Sequence, residues 1–115
     1  MKAADVNPAA LRAVFDLKVR RAEQVGPRFF LNSEQDYRDP RNISVVLAEP
    51  VVAELRRRHG DNLGRYFLGS RMLVVGGART VRIALTDSYG QQTDKYYFQT
   101  HVPVASVRQL ERIDD

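Results

Sequence analysis

The chain has no cysteine, so disulfides and thiolate metal ligands are both excluded, and cysteine usage gives no reading of redox compartment. No apolar run approaches the ~18 residues that a membrane-spanning helix needs. The opening stretch, MKAADVNPAALRAVF, carries no apolar core of a secretory signal, so a cytoplasmic protein with no membrane partner is expected. Histidine is scarce as well: His59 and His101 are the only two, far apart and without a partner at ligand spacing. No metal site and no cofactor is expected from them. Gly76-Gly77 is not followed by the Gly-Lys-Ser/Thr of a phosphate loop, and Ser33 and Ser44 lie in no nucleophile elbow. Nothing in the sequence announces an enzyme, and none is expected.

What is present is ordinary in bulk and biased in detail. At 115 residues, with 43% hydrophobic and 28% charged, the chain is long enough for one core and too apolar for disorder. The net charge is +4, and only Lys2, Lys18 and Lys95 are lysines among 18 cations. Arginine presents a planar fork that fits phosphate and stacks on bases. A polyanion partner would use that bias; an arginine-rich composition with a solvated surface would produce it equally.

The region from Arg28 to Leu47, RFFLNSEQDYRDPRNISVVL, organises the rest. Phe29, Phe30 and Leu31 suit a half-buried strand, and Ile43, Val45 and Leu47 alternate with Asn42, Ser44 and Val46 at period two. Between them Asn, Ser, Asp and Pro favour a turn, so a β-hairpin is predicted. Before it, Phe15, Leu17 and Val19 alternate with charged residues as a strand, preceded by a tail or short helix over residues 1–13. After it, Pro50 opens a helix that Gly60 closes, with Arg56, Arg57, Arg58 and His59 as a solvated, dipole-complementing end. Strands follow at Arg71–Gly77, where the glycine pair predicts a bulge or bend, and at Thr80–Leu85. A polar tip holding Gly90 leads into a last long strand, Lys95–Val104, and Ser106–Ile113 forms a short strand or a helical turn. Five or six strands with a helix after the third is the order of an OB-fold Greek-key barrel spanning residues 14–113.

Particular residues carry a resemblance. Tyr66, Gly69, Leu73, Val75, Gly76 and Gly77, followed by the Asp87–Asp94 hairpin, resemble the second half of single-stranded DNA-binding proteins of the OB-fold type. Phe30, Leu31, Asn32, Asp36, Tyr37, Arg38, Asp39, Pro40, Asn42, Val45 and Val46 resemble small bacterial OB-like domains with an FLN…DYRDP.N hairpin. The chain departs from the single-stranded DNA-binding proteins in lacking tryptophan and an acidic C-terminal tail. The resemblance implies an OB-fold domain, and the first of the two families implies single-stranded DNA or RNA as partner.

Single-strand binders combine cations that track the backbone with aromatic faces for stacking. On an OB barrel the candidates are Lys18, Arg20, Arg28, Arg38, Arg41, Arg79, Arg82 and Lys95, with Phe30, Tyr37, Tyr89 and Tyr97 as the aromatics. The competing expectation is a protein-interaction or structural module, a homo-oligomer or an accessory of a larger enzyme. In that case Phe30 and Tyr97 would pack against a partner or the helix, and the arginines would be solvated. Asp36, Arg38, Asp39 and Arg41 are then turn hydrogen bonds and local ion pairs that set the hairpin.

Overall fold

The computed structural model describes residues 12–113. The elements in order are β1 (Arg12–Lys18), β2 (Arg21–Val25), β3 (Arg28–Asn32), β4 (Ile43–Leu47), α1 (Glu49–His59), α2 (Leu63–Phe67), β5 (Arg71–Gly77), β6 (Arg79–Thr86), β7 (Gln92–Val104) and β8 (Leu110–Ile113). A single 3-10 turn, Val107–Gln109, precedes β8. The tail or helix expected over residues 1–13 falls mostly outside the described residues, and β1 already runs from Arg12.

The protein is mostly β with one main helix, and its strands form two sheets rather than a closed barrel. A three-stranded sheet has the order β1-β5-β8, and a five-stranded sheet has the order β2-β3-β4-β7-β6. The expected count of five or six strands becomes eight because Arg21–Val25, expected only as a lead-in, is a strand of its own and the Ser106–Ile113 segment ends in β8, and the chain changes sheets at two points. The Val19 N–H donates to the Ser70 carbonyl at 2.8 Å, and one residue later the Arg20 N–H donates to the Asn32 carbonyl at 2.9 Å. The chain thus passes from the β5 side to the β3 side within two residues. The same change happens between β5 and β6, with only Ala78 between Gly77 and Arg79. That is the bend the glycine pair predicts.

The predicted hairpin is present: β3 and β4 are antiparallel, with Phe29 opposite Leu47 and Leu31 opposite Val45. Gly26-Pro27 closes a further hairpin between β2 and β3, with Gly26 at φ 59°. β4 and β7 pair in parallel, Val45 beside Val102, which requires the long crossover that α1, α2, β5 and β6 supply. Pro103 sits beside Val46 but beyond the last β6 partner of β7, Arg79 opposite His101, so its missing N–H interrupts no ladder on that side.

One core joins both sheets to the helices. Leu17, Val19, Met72 and Val74 from the β1/β5 side pack with Phe29, Leu31, Val45, Leu47, Val102 and Val104. α1 contributes Val51, Val52 and Leu55, and α2 contributes Leu63 and Phe67. Pro50 lies in the first turn of α1, and the Gly60 N–H returns to the Arg56 carbonyl at 2.9 Å with φ 91°, so both ends match the expectation. Tyr66-Phe67 belongs to α2, where the Asn62 side chain accepts from the Arg65 N–H and starts a helical turn.

Candidate functional site

Alternation along the five-stranded sheet separates a core face from an outer face. Phe29 and Leu31 point into the core, which turns Phe30 and Asn32 outward. Register then sets their neighbours: Glu23 opposite Phe30, Arg21 opposite Asn32, Asn32 opposite Ser44, and Ile83 opposite Tyr97. These residues, with Val25, Gln99 and Tyr37 from the β3–β4 connection, line a groove of about 420 Å³.

The floor of the groove is polar and internally satisfied. Asn32 and Ser44 are each 1% exposed and Asn42 is 3% exposed. The Ser44 hydroxyl donates to Asn32 Oδ1 at 2.6 Å, and Asn42 Nδ2 donates to the same oxygen at 3.2 Å. Asn42 Oδ1 accepts from the Glu34 N–H at 3.1 Å, and its amide reaches the Tyr37 carbonyl at 3.4 Å. Buried polar groups cost stability unless bonded in this way. Here the bonding also ties the β3–β4 connection to the sheet and holds Tyr37 at the groove.

That connection is built as expected, from Asx turns. Asp36 Oδ1 accepts from the Arg38 N–H and Asp39 Oδ1 from the Arg41 N–H, each at 2.9 Å. Arg38 and Arg41 hold the carboxyl pKa of their partners below the ordinary value: the Arg38 backbone bond leads at Asp36, and the Arg41 side-chain bond leads at Asp39. The guanidinium carbons of Arg21 and Arg38 lie 5.3 and 5.9 Å from the centre of the Tyr37 ring, within cation–π range.

A hydrogen-bonded row runs along β7 at the side of the groove. Gln99 Nε2 donates to the Tyr97 hydroxyl at 3.0 Å, and Gln99 Oε1 lies 2.7 Å from His101 Nε2. With the amide nitrogen committed to Tyr97, the imidazole Nε2–H donates to Gln99. Phe30 meets His101 edge-on at 5.8 Å. Burial pushes the His101 pKa below its ordinary value, and the Arg28 charge adds to this, so the ring is neutral at pH 7. Burial likewise pushes the Tyr97 phenol up, which keeps it protonated and able to donate.

The structure gathers some of the sequence-predicted residues and scatters others. Phe30, Tyr37 and Tyr97 line one groove, with Arg38 beside Tyr37 and Arg28 close enough to act on His101. Arg79 lies opposite His101 on the same outer face. Arg41 is held by Asp39 at 2.9 Å and by Glu34 at 3.9 Å. Lys18 pairs in register with Arg71 in the other sheet, and Arg20 sits at the crossing between sheets. Arg82 faces the opposite way, 5.3 Å from the Tyr96 ring. Tyr89 is at the β6–β7 tip and 88% exposed, and Lys95 is exposed on the same arm.

Sequence reasoning missed Arg21, Asn32, Ser44 and Gln99 as groove residues. The usable signal was Gly26-Pro27, a two-residue turn that makes Arg21–Val25 a strand beside Phe30 rather than a lead-in. Two of the arginines at the end of α1 are engaged: Arg58 pairs with Glu54 at 3.0 Å, and Arg56 donates to Gln24 of β2 at 2.8 Å. Among the described residues no cluster of histidines and carboxylates could hold a metal, and no helix is long and apolar enough to cross a membrane. In comparison with known proteins, no family model matches the chain, and no curated protein matches it in sequence.

Proposed function

We propose that this chain is an OB-fold-type binding module that takes single-stranded nucleic acid in the groove on the outer face of its five-stranded sheet. Three features support the fold reading: the parallel β4/β7 pair, the helix between β4 and β5, and the two points, β1 to β2 and β5 to β6, where the chain passes directly from one sheet into the other. The single observation that carries the functional reading is the convergence of Phe30, Tyr37 and Tyr97 on one groove, with the Arg21 and Arg38 guanidiniums at Tyr37. Bases stack on such rings whatever their identity, and cations beside them hold the backbone. In the polar floor, Asn32 Oδ1 and the Ser44 hydroxyl are bonded to each other and to Asn42. Binding, not turnover, is the role this arrangement serves.

The test is fluorescence anisotropy of a labelled single strand of roughly 20 nucleotides at two salt concentrations, longer than the ~4–16 nucleotides an OB fold occupies. Binding should weaken as salt rises, because counterions are released. Tyr97→Ala and Phe30→Ala should each cost about 1–3 kcal/mol, the worth of one base stack. Equal competition by duplex or heparin, or no binding at micromolar protein, overturns the reading.

A second reading, a protein-interaction module, has its own observation. Tyr96 and Phe98 meet at 5.5 Å on the β6–β7 arm yet are 54% and 53% exposed. A protein ligand on that face would show little salt dependence and would be lost on Phe98→Asp while Tyr97→Ala left it intact.

A further inference from the structure

A second cleft lies apart from the aromatic groove, at the other end of β7. Arg12, Gly76, Gly77, Arg79, Pro103 and Gln109 line about 400 Å³ of space there. Arg12 stands opposite Gly77 in the β1/β5 register, and Arg79 follows Gly77 by two residues, so two guanidinium side chains flank a backbone that carries no side chains of its own. No carboxylate lines this cleft, and neither arginine has an ion pair among the described residues. Gln109, the remaining polar side chain, is already committed. Its amide nitrogen donates to the Val75 carbonyl at 2.8 Å, and its oxygen accepts from the Ala105 N–H at 2.8 Å and the Ser106 N–H at 3.1 Å. The cleft therefore offers two arginines, open space and no competing carboxylate. Arg12 and Arg79 contrast with Arg41, whose charge is answered by Asp39 and Glu34.

The cleft and the groove lie along the same strand, β7. Arg79 shares the outer face with His101, which is bonded to Gln99 in the groove wall. From Gln99 to Ala105 along β7 is about 20 Å at ~3.3 Å per residue. Resting on the groove reading, we propose that the Arg12–Arg79 cleft is a phosphate-binding subsite that anchors the backbone of the same strand whose bases stack on Phe30, Tyr37 and Tyr97. The ligand class is then a polynucleotide long enough to reach both places, not a mononucleotide, because one nucleotide in the groove leaves the arginine pair empty.

Two measurements separate this inference from the groove reading. In the first, amide NMR of the full chain is recorded while inorganic tripolyphosphate is added. Gly76 and Gly77 should shift first, and the shift should disappear in the Arg12→Gln/Arg79→Gln double variant while the rest of the spectrum shows the fold unchanged. In the second, an oligothymidylate of about 12 nucleotides and one of about 3 are titrated, lengths on either side of the OB-fold minimum. Each single variant should reduce the salt slope for the long strand by about 0.7, which is roughly 2.6-fold less sensitivity between about 50 and 200 mM salt, and should leave the short strand unaffected. Tripolyphosphate that moves all arginine-rich surfaces equally overturns the subsite. So does an unchanged slope for the long strand. Tripolyphosphate binding at the glycines with no oligonucleotide binding at all overturns the groove reading instead and keeps the cleft as an anion site.

Discussion

Gly76 shows how one residue can be held by its surroundings rather than by its backbone. Its φ is not positive, so an alanine could adopt the same conformation. A Cβ there would nevertheless meet Val102 Cγ1 at 2.8 Å, with Gln109 Nε2 and the Pro103 carbonyl at 3.5 Å. Val102 is fully buried and β-branched, so it has no free rotamer into which to retreat. Replacing glycine by alanine normally gains about 0.4–1 kcal/mol through the unfolded chain, whereas overpacking a core costs about 1–3 kcal/mol. The clash is the larger effect. Gly76→Ala should therefore lower the urea midpoint by an amount equivalent to about 1–2 kcal/mol without changing the slope, and an unchanged midpoint would show that β5 and β7 part easily. Asn32 and Ser44 make the complementary point about legibility. Alternation placed Ser44 on a polar strand face, and it does face the groove, but both residues are buried because each completes the other's hydrogen bonds. A one-dimensional pattern marks such residues as solvent-facing, since it contains no information about a partner a dozen positions away.

Elements that rest on local chemistry were readable, and those that rest on distant pairing were not. The hairpin around Asp36–Asn42 and both ends of α1 follow from residues within a few positions, and they appear where expected. Where the chain leaves one sheet for the other, between β1 and β2 and between β5 and β6, depends on which neighbour each strand finds, and no propensity encodes that. β2 was missed because its burial pattern is weak, with Ala22 its only partly buried apolar residue packed on the core. Helix α1 itself has an unoptimised start. Its N-cap is Ala48, which makes no side-chain bond, and Pro50 in the first turn has no N–H to satisfy. The Val51 N–H is among the first four of the helix and has no carbonyl within it to bond. A serine hydroxyl at position 48 would reach that group, while the Ala48 N–H bond to the Val104 carbonyl and the Val52 bond to the Ala48 carbonyl stay as they are. Ala48→Ser should raise stability by about 0.5–1 kcal/mol, read as a higher midpoint in urea, and Ala48→Val should not.

At the scale of the whole molecule, the two sheets are not two folding units. Leu17 and Val74 of one sheet, Leu31 and Val102 of the other, and Val52 and Phe67 of the helices belong to a single buried cluster. Neither sheet can expose its inner face without opening the core of the other, so a cooperative transition is expected for a chain of this size. The outer part of the β6–β7 arm is the exception. From Thr86 to Tyr96 every residue except Thr93 is exposed, and Tyr96 and Phe98 contact each other and Arg82 rather than the core. The ladder there is also interrupted by a register shift between Ala84 and Thr86. Tyrosine fluorescence and far-ultraviolet circular dichroism should therefore give one coincident urea transition. Amide exchange around Thr86–Tyr96 should be fast by comparison and insensitive to low urea, because those bonds open without disturbing buried apolar surface. Slow exchange in Leu31, Val45 and Val102 should instead track the global stability. If the arm exchanged as slowly as these strands, its exposed aromatic face would have to be covered in solution, and the protein-interaction reading would gain the support that the groove reading now draws from Phe30, Tyr37 and Tyr97.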